Sequence, residues 1–102
     1  MSAYNRISGT YASENDAILK DVLKDRWRFE GVVISDWWGT YSDRVPSGGL
    51  DLEMPGPARY MDPEKIVASI GSGSLDESAI DDKVKRILRL IDWVGAFDRP
   101  GI

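Results

Sequence analysis

The chain has 102 residues, 42% of them apolar and 29% charged, with a net charge of −4 and neither cysteine nor histidine. That length allows one domain of ordinary size, and no apolar run approaches the roughly 18 residues a membrane span needs. Disulfides, thiolate chemistry, histidine-based triads and ordinary zinc sites are excluded, and scattered basic residues make nucleic acid and membrane poor partners.

Met1 opens onto a polar stretch, with no secretory apolar core behind it. Ser2–Ile7 is predicted as a short strand, ended by Ser8 and Gly9. Ser13 is a suitable N-cap for a helix over about Glu14–Asp25, in which Ala17, Ile18, Val22 and Leu23 recur at helical spacing. Trp27 and Phe29 are expected to pack at its exit. A second strand follows over Val32–Ser35, so the chain opens as a strand–helix–strand unit.

Gly31–Trp38, reading GVVISDWW, is the most informative stretch. Its uncharged, β-branched run suits a strand buried on both faces of a parallel sheet. Asp36 then falls at the carboxyl end of that strand, where α/β folds place ligand-contacting residues. A carboxylate beside two aromatics suits a sugar ring, which offers an apolar C–H face and a rim of hydroxyls. An N-cap role for Asp36 fits the spacing equally well. Tryptophans more often fill cores than bind ligands, but adjacent ones point in opposite directions, so at most one of Trp37 and Trp38 is expected to be pure core.

Turn residues Gly39, Pro46, Ser47, Gly48 and Gly49 separate this strand from a third, Leu50–Met54, which Pro55, Gly56 and Pro57 stop. Asp62 followed by Pro63 starts a short helix carrying Ile66, Val67 and Ile70, with Gly71 ending it. In the last helix either Ser74 with Glu77, or Asp76, serves as the cap. Ile80, Val84, Ile87, Leu88 and Ile91 form its apolar stripe, Asp81, Asp82, Lys83, Lys85, Arg86 and Arg89 cover the remainder, and Gly95 marks its end. Three strands with flanking helices leave sheet edges and helix stripes in need of further partners.

The segments MSAYNRISGTYASEN, LKDRWRFEGVVISDWWGTYS, GLDLEMPGP and DESAIDDKVKRILRLI together resemble β-glucosidases of glycoside hydrolase family three, with a fungal flavour. The resemblance covers nearly the whole chain. It implies an α/β fold in which residues 1–102 are part of a catalytic (β/α)8 barrel: about three strands with their helices, not a closed barrel. It implies a retaining β-glucosidase acting on β-glucosides or cello-oligosaccharides without a cofactor. Carried across residue by residue, Asp36 is the nucleophile, Trp37 and Met1 line the subsite of the non-reducing glucose, and Tyr4 lies beside the nucleophile.

Two positions depart from the family pattern. Arg28 stands where glycine is usual, and DRVPSGG replaces a helix that normally precedes GLDLEMPG. The closed barrel needs eight strand–helix units and about 250 residues. The resemblance places the remaining sugar-holding residues and the acid/base in the remaining barrel and a following domain, so the 102 residues alone are expected to be inactive. Asp51 and Glu53 are expected to pack or hydrogen-bond near the pocket. An alternative is a non-catalytic sugar-binding or assembly module using Trp37, Trp38, Tyr41 and Tyr60. A metal site of Asp36, Asp43, Asp51 and Glu53 is disfavoured, because these ligands fall on separate segments without a calcium-loop spacing.

Overall fold

The computed structural model describes residues 1–99. Its centre is the run Val33–Asp36, paired on both edges with parallel neighbours. Ser2 bridges to Ser35 on one side, and Leu52 bridges to Ile34 on the other. Ser2 donates its N–H to the Ile34 carbonyl at 2.8 Å, and Ser35 donates to the Leu52 carbonyl at 3.0 Å. The three expected strands are therefore present as parallel segments, each touching its neighbour through a single bridge. The arrangement is small and open, and no pairing closes it among the described residues.

The first strand is shorter than expected. After Ser2 the chain leaves the sheet, and Arg6–Ile7 (β1) pairs antiparallel with Thr10–Tyr11 (β2). Ser8 and Gly9 form the connection with φ of 51° and 84°. Two positive φ values in a two-residue loop match the twist of a hairpin, which explains the reversal at Ser-Gly.

The first helix also differs. A 3₁₀ turn covers Ala12–Glu14, and a π-helix covers Ala17–Arg26. Ser13 does not cap it; its hydroxyl is buried without a hydrogen-bond partner among the described residues. Asn15 takes that role, its side-chain oxygen accepting from the N–H of Ile18 at 3.2 Å. At the exit Phe29 folds over Gly31, leaving no room there for a Cβ, whereas Trp27 stays exposed instead of packing. Arg28, the residue at the family's glycine position, has φ of 55°, a left-handed conformation that glycine adopts without strain.

Helix α1 (Pro63–Ser72) begins as predicted, the Asp62 carboxylate accepting from Lys65 N–H at 3.1 Å. It runs through Gly71 and ends at Gly73, whose φ of 83° supplies the left-handed cap. Helix α2 (Glu77–Trp93) is capped by Asp76, which accepts from Ser78 N–H at 3.0 Å, and Gly95 follows its end with φ of 74°.

The face by which α2 docks corrects the amphipathic reading. Lys83, expected on the solvated side, is only 4% exposed, while Val84 and Leu88 of the apolar stripe are about half exposed. Lys83 Nζ donates to the carbonyls of Gly48 (2.6 Å) and Leu50. Arg86 donates to the Phe29 and Gly31 carbonyls, and Arg89 to that of Glu30. Residues three apart share a helix face, so this cationic row satisfies carbonyls at the loops flanking the central strand.

The apolar core is small: Leu19, Val33, Val45 and Leu50, with Leu23, Tyr60 and Met61 packed against it. Among the described residues six apolar side chains are buried against nine polar or charged ones, so much of the interior is held by directed hydrogen bonds.

Candidate functional site

Asp36 lies where the central segment ends. Its N–H donates to the Ser2 carbonyl at 3.3 Å, and its own carbonyl accepts from Gly39 N–H at 2.9 Å, turning the chain sharply out of the sheet. Its Oδ1 accepts from the Tyr4 hydroxyl and from Trp37 N–H, both at 2.7 Å. Oδ2 has no hydrogen-bond partner among the described residues. One oxygen is thus fixed and the other is open, an arrangement that orients a carboxylate while leaving a lone pair for an incoming centre.

Tyr4 reaches Asp36 because Ser2 is pinned to the central segment and the chain then rises over its carboxyl end. The Tyr4 hydroxyl also lies 2.9 Å from the Trp37 carbonyl. Hydrogen bonding to the Asp36 carboxylate raises the Tyr4 pKa above the usual phenol value, with burial and the charges of Asp36 and Tyr41 adding to the effect. The phenol is therefore held protonated, as a donor. Its ring packs on Gly39, where an added Cβ would sit 3.2 Å from the ring and 3.0 Å from the Asp36 carbonyl oxygen.

Trp37 and Trp38 follow, with ring centroids 5.6 Å apart at 76°. They are 51% and 61% exposed, so neither is core. Met1 is 81% exposed, one residue before the Ser2 bridge. Tyr41 stacks on Tyr11 at 3.8 Å, with the Arg6 guanidinium 4.6 Å from the Tyr11 ring centre. Tyr41 is therefore engaged by Tyr11, and Tyr60 packs against the core.

The remaining carboxylates have partners of their own. Asp51 Oδ1 meets Lys24 Nζ at 2.7 Å, and its Oδ2 accepts from Val33 N–H at 2.8 Å. Glu53 accepts from the Thr40 hydroxyl at 2.6 Å and from the N–H groups of Tyr60 (3.0 Å) and Met61 (2.8 Å). Burial works to raise the Glu53 pKa, but these bonds outweigh it and hold the carboxyl below its ordinary value. Asp43 is exposed. Among the described residues no three acidic side chains gather closely enough to hold a metal ion. A concavity of about 550 Å³ lies between α1 and the loop preceding Leu50, lined by Asp43, Tyr60, Lys65, Ile66, Ser69 and Leu75. Asp36 is not part of it.

Sequence reasoning missed Gly39, Thr40 and Arg59. Arg59 donates to the carbonyls of Trp38 (3.0 Å) and Thr40 (2.7 Å) from 19 or more residues away in the chain, and no local pattern signals that contact.

Solved β-glucosidases share the fold of this chain. The Kluyveromyces marxianus enzyme, solved in complex with glucose, superposes with a TM-score of 0.87 at 34% identity, over 98% of this chain and 12% of its own. A Listeria innocua β-glucosidase gives 0.82 at 29% identity, over 96% of this chain and 15% of its own. Among sequences, a Rhizobium radiobacter β-glucosidase is 46% identical over 97% of this chain, and β-glucosidase B of Emericella nidulans 41% identical over all of it. The chain spans 12% of the length of each.

The model of the glycosyl hydrolase family 3 N-terminal domain matches residues 1–90, and the chain belongs to that family. The relatives named above are β-glucosidases. Its relatives include bacterial as well as fungal enzymes, and they do not favour the non-catalytic module.

Proposed function

We propose that residues 1–102 form the nucleophile-bearing portion of a retaining β-glucosidase, contributing about three strands and their helices to a (β/α)8 barrel. The observation that carries this reading is the Asp36 carboxylate, set at the end of the central parallel segment with Oδ1 held by Tyr4 and Trp37 and Oδ2 open. In this reading Oδ2 attacks the anomeric carbon of a terminal β-glucosyl unit as the bond to the aglycone oxygen breaks. Water then hydrolyses the glycosyl–enzyme ester. Tyr4 keeps the carboxylate aimed, and Trp37 and Met1 line the sugar subsite.

Retaining hydrolysis needs a second carboxyl group roughly 5 Å from the first, kept protonated for the leaving group. Asp51 is paired with Lys24, Glu53 is occupied by Thr40 and backbone N–H groups, and Asp43 is exposed. In this reading, as the family resemblance implies, the acid/base comes from elsewhere in the full-length protein, and the 102 residues by themselves are inactive on aryl β-glucosides.

The test is covalent trapping. The full-length protein carrying these residues is treated with a 2-deoxy-2-fluoroglucoside bearing a good leaving group, then digested and mapped by mass spectrometry. Label on Asp36 is the expected result; label on any other residue removes Asp36 from the nucleophile role.

A further inference from the structure

Trp38 has φ of 58°, a left-handed conformation that a bulky side chain seldom adopts unless its surroundings impose it. Two contacts impose it here. Its N–H donates to the Met54 carbonyl at 2.9 Å, and its carbonyl accepts from Arg59 at 3.0 Å. Arg59 Nη2 also reaches the Thr40 carbonyl at 2.7 Å and the Thr40 hydroxyl at 3.3 Å. Thr40 is 1% exposed and gives its hydroxyl proton to Glu53, itself buried. The same carboxylate accepts the N–H groups of Tyr60 and Met61, which fixes the loop that presents Arg59.

Between Trp38 and Thr40 lies Gly39, and on Gly39 rests the ring of Tyr4. A continuous set of contacts therefore runs from Glu53 through Thr40 and Arg59 to the turn after Asp36, and through the Tyr4 ring back to Asp36 Oδ1. We propose that Glu53, Thr40 and Arg59 form a clamp of positioning residues that sets the Trp38–Thr40 turn and thereby the Tyr4–Asp36 hydrogen bond. None of the three need touch the sugar. A displacement of the turn by a fraction of an ångström moves the phenol and leaves Asp36 Oδ1 held by the Trp37 N–H alone. This inference rests on Asp36 being the nucleophile.

The experiment is a double-mutant cycle in the full-length protein carrying these residues, read as kcat and KM on an aryl β-glucoside. Thr40→Val keeps the shape of Thr40 and removes the hydroxyl that joins Glu53 and Arg59. The expected result is a kcat lowered about tenfold or more with KM within about twofold, since misplacing a reacting group by 1 Å costs up to about 10²-fold. Thr40→Ser, which keeps the hydroxyl, restores most of the rate. In a Tyr4→Phe background Thr40→Val has little further effect, because both changes break the same link. Equal effects of Thr40→Val with and without Tyr4, or no effect in either, overturn the clamp. Should Thr40→Val not fold, Arg59→Met enters the same cycle with the same criteria. Asp36→Gly with added azide separates the two levels. Activity lost and then restored by azide upholds the nucleophile whatever the cycle shows, whereas an active Asp36→Gly removes both the reading and the clamp built on it.

Discussion

Lys24 and Asp51 meet at 2.7 Å, with side chains 7% and 0% exposed, and the pair joins the first helix to the segment flanking the central strand. Asp51 divides its two oxygens between that ammonium and the N–H of Val33, so one side chain ties a helix, a strand and the strand's neighbour. Removing one partner of a buried pair leaves the other charge without compensation. Asp51→Ala is expected to destabilise the fold by about 3–5 kcal/mol. Asp51→Asn, which still accepts from Val33, should cost less. Urea unfolding of the two variants checks the order, and equal losses would mean that the Val33 hydrogen bond contributes nothing and the ion pair carries the whole effect.

Gly39→Ala separates activity from stability. The new methyl would sit 3.0 Å from a backbone oxygen and 3.2 Å from the Tyr4 ring, and only the half-exposed ring can move. The expected outcome is a rate on aryl β-glucosides at least about tenfold lower, with a melting temperature within a few degrees of the parent. Unchanged activity would show that the ring position does not matter.

Lys83 makes a prediction about alkaline pH. Burial draws its amine from 10.5 down to about 8, reinforced by Lys24 and Lys20 and opposed by Asp51 and Asp82. Between about pH 8 and 10.5 the unfolded chain binds more protons at this site than the folded one, so the Lys83 contribution to stability rises with pH across that window. The free-energy gap between the parent and Lys83→Met should be flat below pH 8. It should then change in the parent's favour by at most about 1.4 kcal/mol per pH unit. A gap that narrows over the same range contradicts the assignment.

Arg28→Gly is expected to stabilise. A non-glycine residue in the left-handed region loses about 1–2 kcal/mol, while glycine adds unfolded-state entropy of about 0.4–1 kcal/mol. The net gain is about 0.5–1 kcal/mol, measurable as a shift in the denaturation midpoint. A loss would show that the Arg28 side chain makes contacts that outweigh its backbone strain.

The elements written in the sequence are those that local chemistry dictates. Asp62-Pro63 starts a helix because the carboxylate and the proline each satisfy its first turn, and an apolar run ending in Asp36 leads out of a parallel segment. The pairing of MSAYN with SDWW was likewise readable, as a resemblance to a known family, before any distance showed the Tyr4 hydroxyl against Asp36.

What periodicity misjudged was the partner of each face. Lys83 reads as a solvated residue, because hydropathy scores side chains and takes no account of the carbonyls of Gly48 and Leu50 to which its ammonium donates. The Ser8-Gly9 hairpin is settled by strand pairing and the change of cap from Ser13 to Asn15 by a side-chain bond to the Ile18 N–H, and neither leaves a trace in the spacing of apolar residues. The resemblance of the chain's segments pointed to the family, and local chemistry determined the start of α1 and the segment ending in Asp36. Tertiary structure decided how Asp36 is held, because Tyr4, Gly39, Thr40, Glu53 and Arg59 meet only where segments distant in sequence are brought together, and a hydrogen bond depends on that distance in space.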